Sequence, residues 1–309
     1  MTPKVAIVVL NWQQPKLTID CLKSLLSIKP NHYQLHTVLV DNGSTDTSPS
    51  QFHNLFGVNP AVTLINNQTN LGYVEGNNVG LKYALLNNFD YVVVLNNDTR
   101  VDPNFLKPLI DFSIKHHHRY LLGPKIYFAP GFEYQKTYKP NQLGKVIWSL
   151  GGIIDWANLY GSNLHIDQVD LGQFKKPITQ LDFVSGCCLF IPRRILTKIG
   201  LFDSKYFLYL EDADYCQRSL RAGFKLATIP KSIIWHYNSG SSGASSNLHH
   251  YFLSRNRLLF GFRYSSLITK FHLFLQSLTY LFNPPSIWHR RAIIDYYTGH
   301  LAQGSWPKK

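Results

Sequence analysis

The chain has 309 residues, 45% of them hydrophobic, with 31 Lys and Arg against 18 Asp and Glu and a formal net charge of +13. No repeat or low-complexity run interrupts it, which excludes repeat and disordered architectures and leaves room for one large domain, alone or with an appendage. The basic excess suits an anionic partner (nucleic acid, anionic lipid or a phosphorylated substrate), with a solvated basic surface as the plain alternative.

Val5–Leu10 is an apolar run too short for a signal-peptide core or a membrane span. It predicts a buried first strand and, with it, residence in the cytoplasm. Leu17–Ser27 carries apolar residues at helical spacing. Thr37–Val40 predicts a second strand, followed by the turn Asp41-Asn42-Gly43-Ser44, and Val62–Ile65 a third. Gly76–Leu86 reads as a helix, and Tyr91–Leu95 as a fourth strand ending at Asn96-Asn97-Asp98. Such alternation predicts an α/β fold with a mostly parallel, Rossmann-like sheet flanked by helices.

Residues 125–180 are less regular and predict an insertion of loops and short strands near the site. Regular structure returns with a strand over Phe183–Ile191 and a helix from Pro192 to Gly200. A further helix spans Glu211–Ala222, closed by Gly223, and strands cover Lys225–Ile229 and Ser232–Trp235. The small polar run Asn238–Ser246 predicts a flexible loop or boundary. It divides a catalytic domain, residues 1–245, from a helical region, residues 246–309. That region is apolar, aromatic and basic, and its longest uncharged stretch contains Pro284-Pro285. It predicts amphipathic helices that lie on a membrane or pack on the main domain.

Ligands of open α/β sheets bind beyond the carboxyl ends of the strands. Asn11, Asp41 and Asn96-Asn97-Asp98 occupy that rim. Neither GxGxxG nor a P-loop motif is present. A hard cation is then the obvious means of holding a diphosphate, with Asp98 as candidate carboxylate. Glu211-Asp212-Ala-Asp214 forms a second acidic cluster that suits either a helix N-terminus or a catalytic base. Cys21, Cys187, Cys188 and Cys216 form no CxxC pair, which argues against a zinc site or disulfide framework and for a reducing compartment.

Taken in order, these segments resemble the family-2 glycosyltransferases with the GT-A fold, especially their bacterial rhamnosyltransferase-like branch. The segments are Val5–Trp12, Val38–Asp46, Asn70–Asn78, Leu95–Thr99, Val184–Arg193, Gly200–Asp203, Glu211–Cys216 and Trp235–Tyr237. The resemblance implies an inverting transferase that uses a nucleotide-diphosphate sugar and a divalent cation, Mg²⁺ or Mn²⁺. Asn11 and Asp41 would contact the donor's base and ribose. Gly72 and Asn78 would shape the nucleotide pocket, with Asn96 and Asn97 beside it. Asp98 would bind metal, completed by His236. Asp212 would be the general base, and Glu211 would orient it or touch the acceptor. Asn96 stands where the family often has Asp, which implies that the cation arrives largely with the donor.

Each residue has a structural alternative. Asp41 also suits a turn, Asp98 a helix cap, Asp212 a helix N-terminus and His236 a buried hydrogen bond. The implied acceptor is a cell-envelope or lipid-linked glycan, reached from the cytoplasmic face of an anionic membrane. A second copy of the chain is another partner the C-terminal region admits, and no nucleic acid is expected. The rival reading is a non-catalytic nucleotide-sugar-binding protein of the same fold.

Overall fold

The computed structural model describes residues 2–135, 137–237 and 246–307. Its first half runs β1 (Lys4–Asn11), α1 (Pro15–Leu26), β2 (Gln34–Asp41), α2 (Ser48–Phe56), β3 (Val62–Asn66), α3 (Gly72–Leu86), β4 (Tyr91–Asn96), β5 (Thr99–Val101), α4 (Leu106–Lys115) and β6 (Tyr120–Phe128). There follow β7 (Ile147–Ser149), β8 (Gly152–Asp155), β9 (Tyr160–Asn163), β10 (Cys188–Pro192), α5 (Arg193–Ile199), α6 (Glu211–Arg221) and β11 (Lys225–His236). Three helices close the chain: α7 (Asn247–Tyr264), α8 (Leu267–Phe282) and α9 (Ile287–Thr298).

The main sheet has the order β3-β2-β1-β4-β10-β6-β11-β5, with β7 on β6. Strands β3, β2, β1 and β4 are parallel, as are β6 and β11. Strand β10 runs antiparallel between β4 and β6, and β5 antiparallel to β11. Alternate β1 residues face opposite layers. Val5, Ile7 and Val9 pack with Leu22 and Leu25 of α1 and Leu109 of α4. Ala6 and Val8 pack with Leu81 and Ala84 of α3. Covered on both faces, these strands read as uninterrupted apolar runs rather than alternating ones.

Four expectations change in detail. The strand expected over Phe183–Ile191 begins only at Cys188. The backbone N–H of Gly186 is given to Asp212, and those of Cys187 and Cys188 to Ser185, so these donors close a turn instead of a ladder. The two strands expected between Lys225 and Trp235 are one, β11, whose pairing with β6 slips between Ile229 and Ile233. Pro230, which has no N–H to give, sits at the slip. Helix α3 starts at Gly72, four residues early. Helix α2 was not expected at all: it buries only Ser48, Phe52 and Phe56, too sparse an apolar stripe to register as periodic. The expected loop Asn238–Ser246 lies, apart from Ser246, outside the described residues.

Helix α7 is fastened to α6 and to the segment that precedes it. The Asn256 amide donates to the carbonyls of Leu208 and Tyr209, at 2.8 and 2.9 Å. Arg263 donates to Asp203 and Asp214, at 2.8 and 2.7 Å. Among the described residues, no helix is long and apolar enough to cross a membrane.

Candidate active site

Parallel pairing sets Asn11 beside Asp41 at the carboxyl ends of β1 and β2. The Asn11 amide donates to Asp41 Oδ1 at 2.7 Å and to Ser44 Oγ at 3.1 Å, so both its hydrogens are used within the rim. Asp41 Oδ2 accepts from the Ser44 N–H at 2.9 Å. A buried carboxylate bonded in this way is fixed in orientation while retaining lone pairs for a ligand. Asn11 thus orients the Asp41 carboxylate.

From Asn11 the rim continues through helix α1. The Thr18 hydroxyl donates to Asn11 Oδ1 at 2.7 Å and accepts from the Asn97 amide at 2.9 Å. Asn96 points the other way. Its Oδ1 accepts from the Tyr73 hydroxyl at 2.9 Å, and that hydroxyl also lies 3.0 Å from the carbonyl of Gly186. The N–H of Gly186 then donates to Asp212 Oδ2 at 2.8 Å. A Cβ at position 186 would sit 3.1 Å from Asp212 Cβ, so the absence of a side chain lets this backbone come close.

Asp98 takes a third direction. Antiparallel pairing of β5 with β11 places His236 opposite Thr99, and His236 Nε2 lies 3.2 Å from Asp98 Oδ1. The Tyr237 N–H donates to the Asp98 carbonyl at 2.9 Å, which fixes the backbone there. Trp148 meets the His236 ring edge-on at 4.6 Å between centroids. Nδ1 of His236 is buried and has no hydrogen-bond partner among the described residues.

The spacing of the pair is that of a His–carboxylate hydrogen bond, and also that of two adjacent ligands of a cation. Adjacent ligands of an octahedral ion with bonds of about 2.1 Å stand roughly 3 Å apart, close to the observed 3.2 Å. No group of three or more His, Cys, Asp and Glu converges among the described residues. Two protein ligands would leave most of a coordination shell to other oxygens.

The acidic pair opens α6. Leu210 adopts a left-handed conformation, with φ of 66°, immediately before the helix. Asp212 accepts from the N–H groups of Gly186 and Ala213, each at 2.8 Å. Burial pushes its carboxyl above the usual range, and those N–H groups pull the other way. Glu211 is pushed up by burial and then by the Asp212 charge, and its Oε2 is buried without a partner among the described residues. A raised carboxyl with one unpartnered oxygen, next to a second raised and hydrogen-bonded carboxyl, is an environment typical of functional acids.

Two expected residues sit apart from this rim. Gly72, with φ of +80°, starts α3, and a Cβ there would lie 2.4 Å from the Phe207 ring. Its carbonyl accepts from Asn42 at 3.1 Å, so it meets the rim indirectly. Asn78 bonds to Glu75 Oε1 and to both the carbonyl and N–H of Phe202. Those bonds clamp α3 to the loop after α5. Tyr73 belongs to neither the acidic pair nor the metal-binding motif, and its linking role came unannounced. Its place beside Gly72 in the Asn70–Asn78 segment was the available signal.

A family model described as glycosyltransferase-like family 2 matches residues 3–257. The chain belongs to that family. Among its curated family relatives is an N-acetylglucosaminyl-diphospho-decaprenol L-rhamnosyltransferase of Mycobacterium tuberculosis, 28% identical over 227 residues and covering 69% of each chain. A low-salt glycan biosynthesis hexosyltransferase, Agl10 of Haloferax volcanii, is 26% identical over 51% of this chain and 46% of its own. Two solved structures share the architecture. One is GalNAc-T7 with UDP, GalNAc and Mn²⁺, with a TM-score of 0.66 and 14% identity over 95% of this chain. The present chain spans 55% of that one. The other is the mannosyltransferase PcManGT of Pyrobaculum calidifontis with GDP-Man and Mn²⁺, with a TM-score of 0.58 and 16% identity over 99% of this chain and 77% of that one. At such identities the likeness concerns the fold, which is of the GT-A type.

Within this family fold, Tyr73→Phe is expected to lower turnover about tenfold while donor KM holds, since supporting hydrogen bonds of this kind typically carry 10–100-fold effects. Steady-state kinetics in both substrates checks this. An unchanged kcat would remove Tyr73 from the positioning machinery.

Proposed function

We propose that this protein transfers a sugar from a nucleotide-diphosphate sugar to a hydroxyl of a glycan or lipid-linked glycan, with inversion at the anomeric carbon. The observation that carries the reading is the hub at Asn96-Asn97-Asp98. Three consecutive residues reach toward Asp41 by way of Thr18 and Asn11, toward Asp212 by way of Tyr73 and Gly186, and directly to His236. Asp41 and its partners would hold the nucleoside end of the donor. Asp98 and His236 would hold a divalent cation, Mg²⁺ or Mn²⁺, which when bound supplies neutralising charge to the diphosphate oxygens.

Asp212 takes the proton of the acceptor hydroxyl as that oxygen bonds to the anomeric carbon. The bond from that carbon to the diphosphate breaks, and the diphosphate leaves with the electron pair. Two backbone N–H groups keep the Asp212 carboxylate aimed, and Glu211 lies beside it as a hydrogen-bonding contact for the acceptor. The names of the rhamnosyltransferase and Agl10 relatives support a glycan acceptor, the former a diphospholipid-linked one. The reaction then belongs at the cytoplasmic face of a membrane.

The test is calorimetric titration of nucleotide sugars with Mg²⁺, Mn²⁺ or chelator. One donor is expected to bind in a cation-dependent way, and Asp98→Ala to weaken that binding about 10–100-fold. Equal donor affinity in Asp98→Ala with Mn²⁺ present would sink the metal assignment.

A further inference from the structure

Helix α8 has two opposite faces. Thr269, Leu273 and Ser277 are buried, and Leu273 packs with Leu258 and Phe260 of α7 and Ile293 of α9. Opposite them, Leu267, Ile268, Phe271, Phe274, Leu275 and Phe282 face solvent, with Leu267 at 82% and Phe282 at 86% exposure. At 100° per residue these six fall within an arc of about 120°. A helix that has already buried one face against its own domain should be polar on the other. A continuous apolar stripe there marks an interaction surface.

The exposed charge of the three C-terminal helices has one sign. Helix α8 carries Lys270 and no acid, and Arg290 and Arg291 stand exposed at the start of α9. From residue 238 to 309 the only acid is Asp295. It is buried and accepts hydrogen bonds from Tyr251 and Ser305. Two copies of this face brought together would oppose cation to cation, whereas anionic head groups would neutralise them.

We propose that α8 docks the protein in the interface of an anionic membrane, its apolar stripe among the acyl chains and Lys270, Arg290 and Arg291 at the lipid phosphates. At 16 residues the helix lies in the plane of the interface instead of crossing it. The inference deepens the lipid-linked acceptor reading and rests on it for its purpose: docking puts the active site where such an acceptor is anchored.

The test is co-sedimentation of the full chain with phosphatidylcholine vesicles, with and without phosphatidylglycerol. The wild type is expected to bind the anionic vesicles, less so at high salt. Phe271→Asp/Phe282→Asp should bind at least about tenfold more weakly. Because both rings are exposed, its melting temperature should match the wild type. Lys270→Glu/Arg290→Glu/Arg291→Glu should lose the preference for anionic vesicles. Asp212→Asn should bind like the wild type, which separates docking from catalysis. The proposal is overturned if the wild type stays in the supernatant, or if the Asp variant binds unchanged. It is equally overturned if the wild type is a dimer in solution that the Asp variant splits, since a second copy then covers the face.

Discussion

Asp212→Asn is expected to reduce sugar transfer by about 10²–10⁴-fold, the usual worth of a positioned general base, while donor affinity holds. The amide preserves shape, but its single oxygen can accept from only one of the two N–H groups that hold the native carboxylate, Gly186 on Oδ2 or Ala213 on Oδ1. Beyond that one bond, what it loses is the ability to take a proton. Rapid-quench measurement of a single turnover, beside donor titration, separates the two quantities. Transfer within about threefold of wild type would remove Asp212 from the role of base.

The pH profile follows from the same environment. A carboxylate serving as base works only when ionised, and burial raises the Asp212 carboxyl. Transfer should therefore fall as pH drops through a value above the ordinary aspartate range of about 4. The inflection belongs to the Glu211–Asp212 pair, since both carboxyls are raised and each feels the other.

The second large effect concerns stability. Asp214 is fully buried in α6, two residues beyond Asp212. It accepts from Arg218 at 2.8 Å and from Arg263 and Tyr264, each at 2.7 Å. Through these bonds α6 is tied to the end of α7. Removing the carboxylate costs three bonds, two of them charge-assisted, while Arg218 keeps the carbonyls of Ile199 and Leu201 and Arg263 keeps Asp203; such a loss costs about 2–3 kcal/mol. Asp214→Ala should accordingly lower the melting temperature by about 5 °C. The exposed pair Lys107–Asp111, with side chains 57% and 59% accessible, makes the contrast. Lys107→Ala should change stability by only about 0.5 kcal/mol. Calorimetric melting of both variants checks the pair, and equal effects would contradict this account of the α6–α7 junction.

How far the sequence carried the fold depended on the region. Strands β1, β2 and β4 were legible as buried apolar runs. Their shared rim was legible because parallel strands end together, and Asn11 does pair with Asp41. The antiparallel entry of β10 was not, because a strand buried on both faces shows the same apolar run in either direction. The proximity of Asp98 and His236 could not be read from spacing. It depends on β5, only three residues long, pairing with the far end of β11, and it entered through the family resemblance alone. The Gly186 turn was hidden inside an apolar stretch that reads as continuous strand. Only the demand of Ser185 and Asp212 on its backbone donors and acceptors reveals it.

The most direct test of the central claim is release of nucleoside diphosphate from a panel of nucleotide sugars. Each is incubated with the purified chain, a lipid extract as acceptor, and Mg²⁺, Mn²⁺ or chelator. The account predicts one donor whose turnover needs both cation and extract and is lost in Asp212→Asn. Failure of every donor under every cation, with the protein folded, would contradict it and leave a nucleotide-sugar-binding protein without catalysis.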